Sequence, residues 1–363
     1  MAKNRVRLED VARSAGVSLT TAWRVLNRAG RVSPEMADAV RKAAEQLQMD
    51  LHRKSGTKLI AFLLGNRNLL HPFQSRILAG VESYCTHRDY NVIFLSLHYA
   101  LDMPWKEIAV PKILRRRDFV DGFILAGPHG QNLLDLLAHS ELPIAVQANN
   151  IVGSWRDEEY DTVWFDDVDG EYRLAAHLIS QGHRDIWFAG NRRLPWFESG
   201  YVGYARAMSE AGLTPRSAGL DLEQPREVGY LAVKSILAQS QPVSAILAGS
   251  DATAQGVYDA LRDSGISVPD EMSVAGFDDI EASALHPRLT TSHIFLEAIG
   301  RQLAEFLLRR IEQPGLAPQK SVIPTRLVKG ESTAPPSPRQ GEVKSAAASA
   351  EPGVPLPGEL SQE

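Results

Sequence analysis

Apolar residues recur at two different spacings along this chain, and the change of spacing marks its domains. Before residue 50 the period is helical. Leu8, Val11, Ala12 and Ala15 form one stripe, which Gly16 interrupts. Ser18 is placed to cap a second helix whose Ala22, Val25 and Leu26 face a core. After the loop "RAGR", Ser33, Pro34 and Glu35 read as a cap, a first-position proline and a first-turn acid. Met36, Val40, Ala43, Ala44 and Leu47 supply the buried stripe of a third helix. Beyond the polar connector "DLHRKSGTK" the pattern becomes one of apolar strands alternating with amphipathic helices. Residues 59–65, 90–97, 121–127, 142–149, 162–165, 185–191, 244–250 and 272–278 read as strands. Residues 74–88, 170–181, 200–211, 229–239, 252–264 and 294–312 read as helices. Such alternation predicts parallel sheets covered on both faces, and two sheets suit the length better than one. From Thr333 the chain is rich in Pro, Ser, Ala and Gly, which predicts a disordered tail without a coiled-coil heptad.

Charge sharpens this division. The chain of 363 residues carries a net charge of −5, but residues 1–58 hold 12 Lys+Arg against 6 Asp+Glu. A small basic head on an acidic body points to a polyanionic partner for the head alone. The single cysteine, Cys85, excludes internal disulfides and is read as a small core residue. No apolar run is long enough to span a membrane, and the first residues lack a secretory h-region. A cytoplasmic location is expected.

Helix, Gly16 turn, helix is the helix-turn-helix order, whose second helix enters the major groove. Leu19, Thr20 and, one turn on, Arg24 are then placed to read base edges: arginine bonds guanine, and leucine packs on a thymine methyl. Ser18, Thr21 and Asn27 are short donors suited to phosphate. Trp23 shares that polar face, where it is expected to lie on deoxyribose or a thymine methyl, or else to fold back on the third helix. Arg53, Lys54 and Lys58 in the connector are expected to follow phosphates.

The segments "RLEDVARSAGVSLTTAWRVLN", "VWFDDVDGEYRLAAHLISQGHRDI", "SAILAGSDATAQGVYDALRDSGISVPDEMSVAGFDDIEASALHPRLTT" and "LVKGEST" together resemble the lactose-repressor family of bacterial transcription regulators, over about residues 7–333. The resemblance implies a homodimer on a palindromic DNA operator. It also implies a periplasmic-binding-protein-like body of two α/β lobes, with a small effector between them that alters operator affinity. The expected divisions are a helix-turn-helix head at 1–49, a short hinge at 50–58, a body at 59–332 and a tail at 333–363. Within the body, 59–160 plus 290–312 form the N lobe and 161–289 plus 313–332 the C lobe. Three departures stand out. The family usually has serine at the position of Trp23, a longer connector with a minor-groove leucine where this chain has Leu51, and a ligand-binding arginine where this chain has Gly200. The shorter connector implies less bent DNA, or Leu51 as a shorter wedge.

Ligands of paired α/β lobes sit at the carboxyl ends of strands. That rule selects Phe73, Gln74, Asn149, Asp166, Ser250 and Asp278, with Trp196 and Glu198 beside the vacant arginine position. The resemblance gives Asp278 and Ser250 contacts to ligand hydroxyls. An aromatic beside carboxylates suits a neutral carbohydrate. Asp251 and Asp279 are read instead as caps of the helices that follow, and His183 as structural. No cofactor and no metal is expected, and enzyme motifs are lacking: there is no P-loop, no G-x-S-x-G and no G-x-G-x-x-G after a strand. Three alternatives stay open. One is a ligand-independent regulator, and one a stand-alone sugar-binding protein. The third is a hydrolase built on Asp166, Asp167 and Asp169.

Overall fold

A computed structural model describes residues 8–26, 32–47, 57–67, 71–111, 114, 119–239 and 241–337. The head is three helices, α1 (Leu8–Ser14), α2 (Leu19–Leu26) and α3 (Pro34–Gln46). Gly16 turns between the first two at φ +64°, a region that glycine enters without steric cost. Val11, Ala12, Ala22, Val40, Ala43 and Ala44 form a small closed core, and Leu8, Ala15, Val17, Val25, Leu26 and Leu47 pack on it. Met36 departs from the expected stripe. It is 50% exposed: it shares the face of Val40 and Ala43 but lies in the first turn of α3, at the end of the stripe.

The body begins at β1 (Leu59–Gly65). There follow α4 (Pro72–Thr86), β2 (Asn91–Leu97), β3 (Phe123–Ala126), α5 (Gln131–Ala138), β4 (Ile144–Gln147) and β5 (Asp161–Phe165). Next come α6 (Asp167–Ser180), β6 (Ile186–Ala189), α7 (Pro195–Glu210), β7 (Arg216–Ala218), α8 (Pro225–Ala238), β8 (Ala245–Ala248), α9 (Asp251–Asp263) and β9 (Ser273–Ala275). The last elements are β10 (Thr291–His293), α10 (Leu296–Glu312), β11 (Lys320–Ile323) and β12 (Arg326–Val328). One parallel sheet has the order β11-β5-β4-β3-β1-β2, the other β7-β6-β8-β9. Alternate residues of each strand feed opposite faces. Ile60, Phe62 and Leu64 join Ile77, Val81, Leu303 and Leu307 of α4 and α10, while Ala61 and Leu63 join Leu133, Leu134 and Leu137 of α5. In the second sheet Ile186 and Phe188 meet α6 and α7, and Trp187 and Ala189 meet α8 and α9. Burial on both faces is why these strands read as nearly continuous apolar runs.

The chain crosses between the lobes after β5, after β10 and after β11. This corrects the expected lobe limits: β5 and β11 belong to the N-lobe sheet. Thr162–Phe165 pair with Lys320–Ile323, and Arg310 of α10 clasps the buried Asp161 carboxylate at the start of β5. Beside the crossings, β10 and β12 form an antiparallel ribbon. The expected tail also starts too early. The Thr333 hydroxyl bonds that of Thr290, and Ala334 exchanges hydrogen bonds with the Ser273 hydroxyl and accepts one from His183. The remainder of the expected tail, from residue 338, lies outside the described residues.

Candidate functional site

On α2 the side chains divide by exposure. Ala22 is buried in the head core, while Ser18, Leu19, Thr20, Trp23 and Arg24 are exposed and Thr21 is half-buried. Leu19 shows 48% and Trp23 50% of its surface, one helical turn apart. The Ser18 hydroxyl accepts from the Thr21 backbone N–H at 3.1 Å and bonds the Thr21 hydroxyl at 2.8 Å. These two expected phosphate donors therefore also fix the start of the helix. The helix N-terminus, Arg24 and the apolar pair present one surface suited to a groove edged by phosphates. Asn27, Arg53 and Lys54 lie outside the described residues. Lys58 is the described member of the connector's basic group. Its ammonium lies over the Tyr90 ring at 4.2 Å and its backbone N–H donates to Asp121, which ties it to the body.

Between the lobes, the strand-end residues separate into occupied and unoccupied groups. Asn149 is occupied: its amide accepts from the Phe165 N–H at 3.0 Å and donates to the Phe165 carbonyl at 2.9 Å and to Asp167 at 3.2 Å. It holds the end of β4 to the first crossing. Asp166 caps α6 by accepting from the Asp169 N–H, and Ser250 caps α9 by accepting from the Thr253 N–H. Glu198 is bound by Arg192 through two hydrogen bonds of 2.8 and 2.9 Å. Both line an open depression with Asn191, Leu220 and Asp221, which belongs wholly to the C lobe rather than to the gap between lobes. Phe73 sets its edge on Phe165, and Phe165 meets Phe277, so an aromatic row runs from one lobe to the other. At one side Arg67, from the N lobe, lies over the ring of Trp196 in the C lobe at 5.1 Å. Burial lowers the Arg67 pKa, and Glu223 opposes that effect.

The acids behind this row are strongly desolvated. Burial raises Asp167 to about 6 and Glu171 well above the usual carboxylate range. Burial also raises Asp251 and Asp278, and a hydrogen bond to Asp251 raises Asp278 further. Asp251, read from sequence as a cap of its own helix, is not one, since Ser250 holds that place. Asp251 accepts from Thr291 and from the backbone N–H groups of Ile280, Glu281 and Ala282, which fixes the turn after β9. Asp279 pairs with His293 rather than capping. Oxygens of Asp251, Asp278 and Glu281 lie within 4.8 Å of one another, but Asp251 is already committed to these donors. His183 is structural, bonded to Ser244, Ser273 and Ala334. Cys85 is buried in the core, where burial raises its thiol to about 12.

Sequence reasoning passed over Glu171. This side chain is 1% exposed and its Oε2 has no hydrogen-bond partner among the described residues. It occupies the space left by Gly200, where an added Cβ would sit 3.1 Å from Glu171 Oε1. The pairing of an acid on α6 with a bare position on α7 is visible only in three dimensions. Gln74 is the other unoccupied member: it is 4% exposed and its Oε1 also lacks a partner.

Comparison with known proteins accounts for both parts of the molecule. Residues 7–49 match the family model described as bacterial regulatory proteins, lacI family, and residues 175–333 match that of a periplasmic binding protein-like domain. The chain is 31% identical over 317 residues to the HTH-type transcriptional repressor PurR of Erwinia tasmaniensis, covering 84% of this chain and 90% of that one. It is 29% identical over 329 residues to the PurR repressor of Glaesserella parasuis, covering 87% and 93%. Among solved structures, the regulator CelR in complex with cellobiose aligns at TM-score 0.66 and 26% identity, over 90% of this chain and all of that one. The lac repressor dimer bound to operator and an anti-inducer aligns at TM-score 0.63 and 22% identity, over 91% and 100%, a likeness of fold.

Proposed function

The chain belongs to the LacI family of bacterial regulatory proteins, and from that premise we propose that it is a DNA-binding transcriptional repressor whose operator affinity is set by a small polyhydroxylated ligand held between its lobes. It acts in the cytoplasm as a homodimer on a palindromic operator; no helix among the described residues is long and apolar enough to cross a membrane. The observation that carries the reading is the face of α2. Thr20, Arg24, Leu19 and Trp23 stand exposed on a helix whose position is fixed by its own small core. Arg24 and Thr20 bond base edges, and Leu19 packs on a thymine methyl. Ligand enters at the aromatic row of Phe73, Phe165 and Phe277, with Trp196 at its side and Asp278 beyond. Closing the lobes around it shifts the spacing of the two heads. The buried acceptors without partners, Glu171 Oε2 and Gln74 Oε1, favour a ligand-responsive regulator over a ligand-independent one.

A selection from random duplexes by the purified chain tests this. The expected outcome is enrichment of a palindrome, with log K falling by about 0.9 per unit of log salt for each phosphate contacted. A sugar panel should shift operator affinity about 5–150-fold, the span of a coupling of about 1–3 kcal/mol. Equal binding to every duplex would overturn the proposal.

A further inference from the structure

Among the buried side-chain atoms without a partner, two acceptors, Glu171 Oε2 and Gln74 Oε1, belong to helices on either side of the lobe junction. Glu171 is one helical turn beyond Asp167 on α6, and Asp167 accepts a hydrogen bond from Asn149 of the N lobe. Opposite Glu171, α7 offers no side chain at Gly200. The same helix meets the turn at Ala148–Asn150, so this acidic pair stands at the junction of the lobes. Gln74, in the first turn of α4, follows Phe73, whose ring touches Phe165 just before the crossing into α6. Two polar atoms, Glu171 Oε2 and Gln74 Oε1, are thus buried without donors, one contributed by each lobe. Buried acceptors of this kind ordinarily have a partner.

The nearby cations are engaged elsewhere. Arg76 is paired with Glu297 through two hydrogen bonds, Arg192 with Glu198, and Arg326 lies over Phe295. Arg67 lies over Trp196. Neither Asp167 nor Glu171 has a basic partner among the ion pairs of the described residues.

We propose that the effector carries a protonated amine beside its hydroxyl groups, and that the Glu171 carboxyl in the space opened by Gly200 binds that amine. This rests on the reading of the chain as an effector-responsive regulator, and it narrows the ligand to an amino sugar or similar aminopolyol. An ammonium group supplies three N–H donors in a small volume and the positive charge that the acidic pair lacks. Gln74 Oε1 accepts from the same amine or from an adjacent hydroxyl. Without a cation, burial and the neighbouring Asp167 hold Glu171 in its neutral form; an ammonium beside it reverses that preference. An anionic ligand, by contrast, would face two desolvated acids with no compensating cation.

The test uses the full chain with its selected operator and matched sets of probes: 2-amino-2-deoxyhexoses of gluco, galacto and manno configuration, their parent hexoses and the corresponding hexuronates. Calorimetry and operator affinity are the readouts. At least one amine is expected to bind tenfold or more tighter than its neutral parent, and the uronates weakest. Glu171→Gln is expected to bring the amine-to-neutral ratio close to one, whereas Glu171→Asp, which keeps a carboxyl that an ammonium can ionise, retains part of the preference. Circular dichroism and the thermal midpoint establish that each variant is folded. The inference is overturned if no amine binds, if a uronate binds as tightly as its amine, or if Glu171→Gln leaves the ratio unchanged. Neutral sugars that shift operator affinity while amines do not would remove this inference and leave the regulator intact. Loss of sequence preference for any duplex would remove both.

Discussion

Trp23 exposes half of its surface on a helix whose neighbours are hydrogen-bonding groups, and it stands one turn from the equally exposed Leu19. Together they form an apolar strip on the face that carries Thr20 and Arg24. Such a strip gains little in water but a good deal against thymine methyls and sugar edges. Trp23→Ser should therefore change the base preference of the selected operator while altering head stability by about 1 kcal/mol or less, since large stability losses come from buried features. A repeat of the duplex selection, with a thermal melt beside it, checks both parts; an unchanged operator ranking would refute the role. At this scale the exposed face of α2 was legible because exposure on a short amphipathic helix follows from its period. The interlobe site was less so. Asn149, Asp166 and Ser250 were found by their places at strand ends, yet each is committed to backbone groups of the next element. A polar side chain at a strand end serves capping and ligand binding equally well, and the sequence does not say which. Glu171 could not be found at all, because its meaning depends on Gly200, far away in the chain.

Helix pairs in the body are set by glycines at their closest approach. A Cβ on Gly203 of α7 would lie 2.0 Å from the Val168 carbonyl oxygen on α6. One on Gly256 of α9 would lie 1.8 Å from that of Arg226 on α8, and one on Gly300 of α10 would lie 2.0 Å from that of Ile77 on α4. Backbone cannot yield as a flexible side chain does, so the helices must separate. Gly256→Ala should cost at least the about 1–3 kcal/mol typical of overpacking, read as a lower urea midpoint with an unchanged slope. A midpoint equal to that of the parent chain would show that α8 and α9 are not in this close register. The long elements were legible because strands buried on both faces and helices with a clear stripe carry strong patterns. The elements missed were β7, β10 and β12 at three residues each, the edge strand β11, and the eight-residue α5. Three residues contain too little alternation to register, and β11 exposes Lys320 and Val322 at the sheet edge. Assigning β5 to the wrong lobe has the same root: pairing with β11, more than 150 residues later, leaves no local trace.

Across the whole molecule, buried ionisable groups give the fold a pH dependence that its net charge of −5 would not indicate. Burial raises the carboxyls Asp167, to about 6, and Asp278, Asp251 and Glu171. For these acids the folded state binds protons more tightly than the unfolded chain. Their contribution is greatest below the ordinary carboxylate range and is lost as pH rises through the folded values. Burial also lowers the histidines: His129 to about 4, and His71, His177 and His183 below their usual value. For these bases the unfolded chain binds protons more tightly, so their penalty enters as pH falls below about 6.5, the ordinary histidine value. The two groups oppose each other. Raising pH from 6.5 to 8 ionises buried acids; lowering it from 6.5 to 5 protonates histidines in the unfolded chain and draws the equilibrium that way. Above the histidine range only the buried acids still act, so stability is expected to fall from pH 6.5 to 8. Thermal midpoints of the full chain across pH 5–8, repeated with Asp278→Asn, check it. The variant removes one of the acids responsible for the alkaline loss, so its midpoint should fall less between pH 6.5 and 8 than that of the parent. Parallel curves for the two proteins over that interval would mean that Asp278 is charged in the free protein, and that its hydrogen bonds outweigh its burial.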